Sequence, residues 1–218
     1  MSDWHPGPTP RRIGIYGGTF DPVHHGHLVA ASEVHATLGL DHLVFMPAGQ
    51  PPHKRDQTIS DAIHRVRMIE LAIAGRAQFA LSTRDLAPDR PSYTADLLAH
   101  LHEAWGAGHS LFFVMGEDSL RDFPKWHAPE QIAALAQLAV VTRPNVAVAI
   151  DAIIRAVPTL AGRIHPVAIP QLDIASHDLR ERVAANRPIA YQVPEAVERY
   201  IHDAGLYRAD ATSEGAAV

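Results

Sequence analysis

Six short apolar runs, spaced by stretches of helical pattern, constrain this chain more than any other feature. Runs at about 12–17, 42–46, 79–82, 110–116, 138–142 and 164–169 read as strands, and the intervals at about 27–38, 60–74, 94–105, 129–135 and 148–156 read as helices. Two more helices, about 177–185 and 194–203, close the chain. Leu111-Phe112-Phe113-Val114-Met115 is apolar at consecutive positions, the pattern of a strand covered on both faces. Alternation of this kind predicts the α/β class: a doubly wound parallel sheet with flanking helices. With 218 residues, no internal repeat and no linker, a single domain is expected over 11–208. Flexible tails are expected at 1–10, polar and proline-rich, and at 209–218, small and polar.

Composition removes several kinds of function. No apolar run approaches the roughly 18 residues of a membrane span, and the first ten residues lack the apolar core of a secretory signal. There is no cysteine, which excludes disulfides, thiolate metal sites and cysteine nucleophiles and suits a cytoplasmic location. The formal net charge of −5 argues against nucleic acid as a partner. An anion would have to be held by a few local groups.

Such groups collect in the loops that follow strands. In an open parallel sheet, ligands bind beyond the carboxyl ends of the strands, where the strand order reverses. The first of these loops is Gly17-Gly18-Thr19-Phe20-Asp21-Pro22-Val23-His24-His25-Gly26-His27. Gly17 and Gly18 let a backbone approach a ligand closely, and the helix that follows directs amide N–H groups and a partial positive charge at an anion. His24 and His27, three apart across a tight turn, can face one site and donate N–H groups to phosphate oxygens; a nearby phosphate would favour their charged forms. A metal pair is the competing reading, but no third ligand and no HExxH motif accompany them. Neither GxGxxG nor GxxxxGK[ST] occurs, so a dinucleotide-dependent dehydrogenase and a P-loop NTPase are both excluded.

Further candidates lie in the remaining loops. Lys54 follows Pro51-Pro52-His53, whose stiff backbone can hold an ammonium near a phosphate; a solvated lysine is the bland reading. Arg143 ends a strand, where an unpaired charge is costly and a ligand or carboxylate partner is expected. Arg180 lies one turn into a late helix whose start faces the same edge, and it could instead form an ion pair with Asp178 or Glu181. Asp118 suits a ribose hydroxyl or a helix N-cap. Trp126, between Lys125 and His127, is either core packing or a stacking platform. Arg65, Arg67 and Glu70 read as a solvated helix face.

Taken in order, these segments resemble the HxGH nucleotidylyltransferases, and more narrowly the bacterial nicotinate-nucleotide adenylyltransferases, from about residue 12 to 207. The motifs are Gly17-Gly18-Thr19-Phe20-Asp21-Pro22-x-His24-x-Gly26-His27, Pro47-Ala-Gly-Gln-Pro51-Pro52-His53-Lys54, Pro91-Ser92-Tyr93-Thr94-Ala95-Asp96, Gly116-Glu117-Asp118-Ser119-Leu120 with Trp126, Arg143-Pro144, and Ile174-Ala175-Ser176-His177-Asp178-Leu179-Arg180. The resemblance implies a Rossmann-like fold and adenylyl transfer from ATP to nicotinate mononucleotide, with Mg²⁺ held mainly through the ATP phosphates and no protein metal site. It implies catalytic roles for His24, His27 and Arg180, and ATP contacts at Gly17, Gly18, Thr19, Phe20, Gly116, Asp118 and Ser176. It implies mononucleotide contacts at Lys54, Thr94, Trp126, His127 and Arg143, with Trp126 stacked on the nicotinate ring. Ala175 and His177 stand where the family often carries Ser and Thr, which removes hydroxyls from the phosphate motif. Phosphopantetheine adenylyltransferases share only the first and last motifs. A nicotinamide mononucleotide transferase and a non-catalytic nucleotide sensor also compete with this reading. Oligomeric state is not legible.

Overall fold

The computed structural model describes residues 3–49, 59–86, 92–142 and 150–208. Six strands, β1 (Arg12–Gly18), β2 (His42–Pro47), β3 (Phe79–Leu81), β4 (Ser110–Gly116), β5 (Gln137–Thr142) and β6 (Ile164–Ala168), form one sheet in the order β3-β2-β1-β4-β5-β6. Every pairing is parallel. The helices are α1 (His25–Thr37), α2 (Ala62–Ile73), α3 (Thr94–Trp105), α4 (Glu117–Asp122), α5 (Pro129–Leu135), α6 (Ile150–Ala156), α7 (Ser176–Ala184) and α8 (Glu195–Asp203). The chain is thus a single α/β domain of Rossmann-like, doubly wound form. The strand order reverses between β1 and β4, which opens a crevice beyond Gly18 and Gly116.

Consecutive apolar residues in each strand feed two cores, because successive side chains point to opposite faces. Ile13, Ile15, Val44, Met46, Leu111 and Phe113 pack with buried residues of α3, α5 and α6. Leu43, Phe45, Phe112 and Val114 pack with α1, α2, α7 and α8.

Two expectations change. Residues 116–126 were expected as a loop, but Glu117–Asp122 form α4 and Phe123–Lys125 a 3₁₀ turn, anchored by the buried Leu120 and Phe123. Sequence pattern misses so short a helix because one buried residue shows no periodicity. The N-terminal residues, expected as a flexible tail, make contacts from Asp3 onward. Trp4 packs edge-on against Trp105 at 5.4 Å and His42 at 5.2 Å, and Asp3 pairs with Arg84. The large apolar area of one indole outweighs the polar, proline-rich character of its neighbours. Among the described residues no helix is long and apolar enough to cross a membrane.

Candidate active site

The β1–α1 turn is built around Phe20 and two histidines. Phe20 is 1% exposed and adopts a left-handed backbone, φ +51°. Its ring covers Gly18, where a Cβ would lie 2.9 Å from Phe20 Cζ, so Gly18 is needed for packing inside the turn. His24 occupies the N-cap position of α1 and is 6% exposed. Its ring lies 3.7 Å from that of His27, tilted by 30°. The two imidazoles therefore share one site, as their spacing predicts. The His24 backbone N–H donates to His27 Nδ1 at 3.3 Å, which assigns the proton of a neutral His27 to Nε2. His24 Nδ1 is buried. Burial, and then the charge of His25, pull the His24 pKa down to about 4. In this structure His24 is therefore neutral at pH 7, and a neutral imidazole still offers one N–H.

Gly26, inside the motif but without a role assigned from sequence, holds this pair in place. A Cβ there would lie 3.0 Å from both Cε1 and Nδ1 of His24, so the ring occupies the space a side chain would take.

The start of α7 meets the same turn. Arg180 Nη1 donates to the Asp21 carbonyl at 2.7 Å, and Ser176 Oγ donates to the Pro22 carbonyl at 3.0 Å. Arg180 is in neither of the ion pairs considered for it; Asp178 pairs with His177 instead. Two helix N-termini thus converge on the residues between Thr19 and His27, concentrating amide dipoles where an anion is expected.

The other flank of the crevice carries Thr94, Asp118, Trp126 and His127. Phe113 links it to the turn: its ring is 3.5 Å from where a Gly17 Cβ would be, and it meets Trp126 edge-on at 6.1 Å. Trp126 also contacts Phe123 at 5.5 Å and is half-buried, so it packs on one side and keeps some surface exposed. Thr94 is the first residue of α3, and the neighbouring Tyr93 stacks on His127 at 4.6 Å, joining the two segments. Ser92 accepts the Gly49 N–H at 3.0 Å, which fastens α3 to the end of β2. Gly116 is the N-cap of α4, so Asp118 is not. The Asp118 side chain is 92% exposed and pairs with Arg121 at 3.0 Å. Lys54 and Arg143 lie outside the described residues.

Three polar residues beneath the turn, Asp21, Tyr207 and Arg65, carry no site role in the sequence reading. Asp21 is 2% exposed; its carboxylate accepts the Tyr207 hydroxyl at 2.5 Å and the Ser60 N–H at 3.0 Å. Burial, and then the Asp21 charge, push the Tyr207 pKa up. Arg65 corrects the expectation of a solvated helix face: it is 2% exposed and bonded to three carbonyls, whereas Arg67 is exposed and pairs with Glu70 at 3.0 Å. An arginine next to an exposed arginine carries no local sign of burial; only the position of its side chain relative to distant loops reveals it.

Comparison with known proteins places this geometry in a lineage. Residues 15–182 match the cytidylyltransferase-like family model. A relative named "Probable nicotinate-nucleotide adenylyltransferase" from Thermomicrobium roseum is 47% identical over 197 residues, 90% of this chain and 92% of the relative. One of the same name from Saccharopolyspora erythraea is 40% identical over 94% of this chain and 93% of its own length. The solved Plasmodium falciparum nicotinic acid mononucleotide adenylyltransferase complexed with NaAD superposes with a TM-score of 0.73, covering 90% of this chain and 97% of that one; at 20% identity this is a likeness of fold. Identity of 40% or more along nearly the whole of both chains decides kinship: the chain belongs to the nicotinate-nucleotide adenylyltransferase family.

Proposed function

We propose that this chain joins nicotinate mononucleotide to the adenylyl group of ATP, giving nicotinate adenine dinucleotide and pyrophosphate in NAD biosynthesis. The observation that carries the reading is the stacked His24–His27 pair at the start of α1, on the same turn that receives Arg180 from α7. The 5′-phosphate of the mononucleotide attacks the α-phosphorus, and the bond from that phosphorus to the bridging oxygen breaks. The nucleophile is already an anion, so the protein supplies no general base and forms no covalent intermediate. Its work is alignment and the neutralisation of charge on the leaving group. His24 and His27 donate to the α- and β-phosphate oxygens, and Arg180 faces the leaving pyrophosphate. The Thr19–His27 turn with Gly116, Asp118 and Ser176 receives ATP. Thr94, Trp126 and His127 receive the nicotinate ring, and Lys54 and Arg143 its phosphate side.

Mg²⁺ enters with ATP. Among the described residues no three His, Asp or Glu side chains cluster to hold a metal, and the Asp21 carboxylate is already engaged by Tyr207 and Ser60. Bound with ATP, the ion would be held mainly through the phosphates and would neutralise their charge. The absence of cysteine and the nucleotide substrates both fit work in the cytoplasm.

The deciding experiment is pyrophosphate release by the purified protein with ATP and Mg²⁺, offered nicotinate mononucleotide, nicotinamide mononucleotide or 4′-phosphopantetheine. Release with nicotinate mononucleotide well above the other two is expected. Preference for another acceptor would reassign the substrate, and ATP binding without release from any of the three would mark a nucleotide sensor.

A further inference from the structure

Arg65 sits one turn into α2 and is almost wholly buried. Its Nε donates to the Ser60 carbonyl at 3.0 Å, and its Nη1 to the carbonyls of Thr19 and Ala48 at 2.9 Å each. Burial lowers its pKa while the Asp21 carboxylate raises it, so the guanidinium keeps its charge and has a counter-charge close by. If the position needed only packing, an apolar side chain would fill it without the cost of desolvating a cation.

The three acceptors belong to separate pieces of the site. Thr19 lies in the turn after β1, Ala48 directly follows β2, and Ser60 precedes α2. Ala48 and Ser60 are each tied to the β1–α1 turn a second time: the Ala48 N–H donates to the Gly18 carbonyl at 2.8 Å, and the Ser60 N–H to Asp21 Oδ2 at 3.0 Å. One planar guanidinium therefore joins three segments, two of which are each tied to the turn by a further hydrogen bond.

We infer that Arg65 is a positioning residue, which fixes Ala48 and Ser60 against the Thr19 turn and so holds that turn where ATP is aligned for attack. The inference rests on the reaction proposed above, in which the Thr19–His27 turn receives ATP and must present its α-phosphorus to the attacking phosphate. In-line transfer needs the reacting atoms about 3–3.5 Å apart, and an error of about 1 Å can cost on the order of 10²-fold in rate. Lysine cannot replace the arginine, because a point charge on a flexible stem does not span three carbonyls at fixed angles.

The test uses Arg65→Lys and Arg65→Met in the full chain, each checked for folding by circular dichroism and thermal unfolding. For the folded variants kcat is expected to fall by on the order of 10²-fold, while the ATP dissociation constant, measured by calorimetry, changes by less than about 3-fold. Hydrogen exchange at the Ala48, Gly49 and Ser60 amides should quicken, while exchange in β1 and β4 stays at wild-type rates. Wild-type kcat in folded Arg65→Lys would overturn the inference. So would a loss of kcat that only follows the folded fraction with both KM values unchanged. If the wild-type protein itself transfers no adenylyl group, the proposed reaction fails separately. The exchange measurement then decides alone, and unaltered exchange at Ala48 and Ser60 would reject Arg65 as the tether.

Discussion

Acidification tests the burial of His24 directly. A histidine held at about 4 in the folded protein but free to titrate at 6.5 when unfolded binds its proton more readily in the unfolded state. Its contribution to stability is complete above pH 6.5, declines as the pH falls, and is exhausted near pH 4. Over that window the loss is about 3 kcal/mol, and at pH 5 about 2 kcal/mol has gone. His42 and His165 are also shifted down, mainly by burial, and they slope the same way. The His24 share is therefore read as a difference of differences: urea unfolding of wild type and His24→Asn, each at about pH 7.5 and about pH 5. Wild type should lose about 2 kcal/mol more than the variant between the two conditions. The His24 ring proton signals, followed by NMR, should titrate near 4. A midpoint near 6.5, or a double difference below about 0.5 kcal/mol, would show that the ring is solvated and that the stacked pair is not the form present in solution. Saturating ATP should move the midpoint upward, because phosphate charge favours the imidazolium.

Gly26→Ala should displace the His24 ring, since the added methyl meets it at 3.0 Å; turnover measured by pyrophosphate release is expected to drop at least about 10²-fold with the far-UV spectrum preserved. Wild-type turnover would mean the ring position is irrelevant to the reaction. Tyr207→Phe removes a hydroxyl bonded to the buried Asp21 carboxylate, and urea unfolding should show a loss of about 2 kcal/mol, against no loss if the hydroxyl faces water in solution. Trp126→Ala should raise KM for the mononucleotide far more than KM for ATP in steady-state kinetics; equal increases would remove the indole from the nicotinate side.

Local pattern is enough for the architecture. Buried strands such as Leu111–Met115 declare themselves because both of their faces must be apolar, and helices α3 and α5 fall where their sequence pattern begins and ends. The β1–α1 motif is legible because glycines and histidines at those spacings answer to phosphate chemistry within one short segment. Short α4 is not legible, since one buried leucine leaves no period to read. Trp4 reads as part of a tail because nothing near it in sequence says that Trp105 and His42 will present a surface for it.

What the sequence determined by itself, then, is what depends on neighbours along the chain: the class of fold, the phosphate turn, and the motif set that identifies the family. Tertiary structure alone decided what depends on partners far apart in sequence. Arg65, charged and beside surface residues, is buried because carbonyls from three segments converge on it. The Asp21 carboxylate is engaged by a hydroxyl 186 positions away. His24 is pushed towards its neutral form because folding removes water from its ring, and desolvation is a property of the assembled packing that no window of sequence contains.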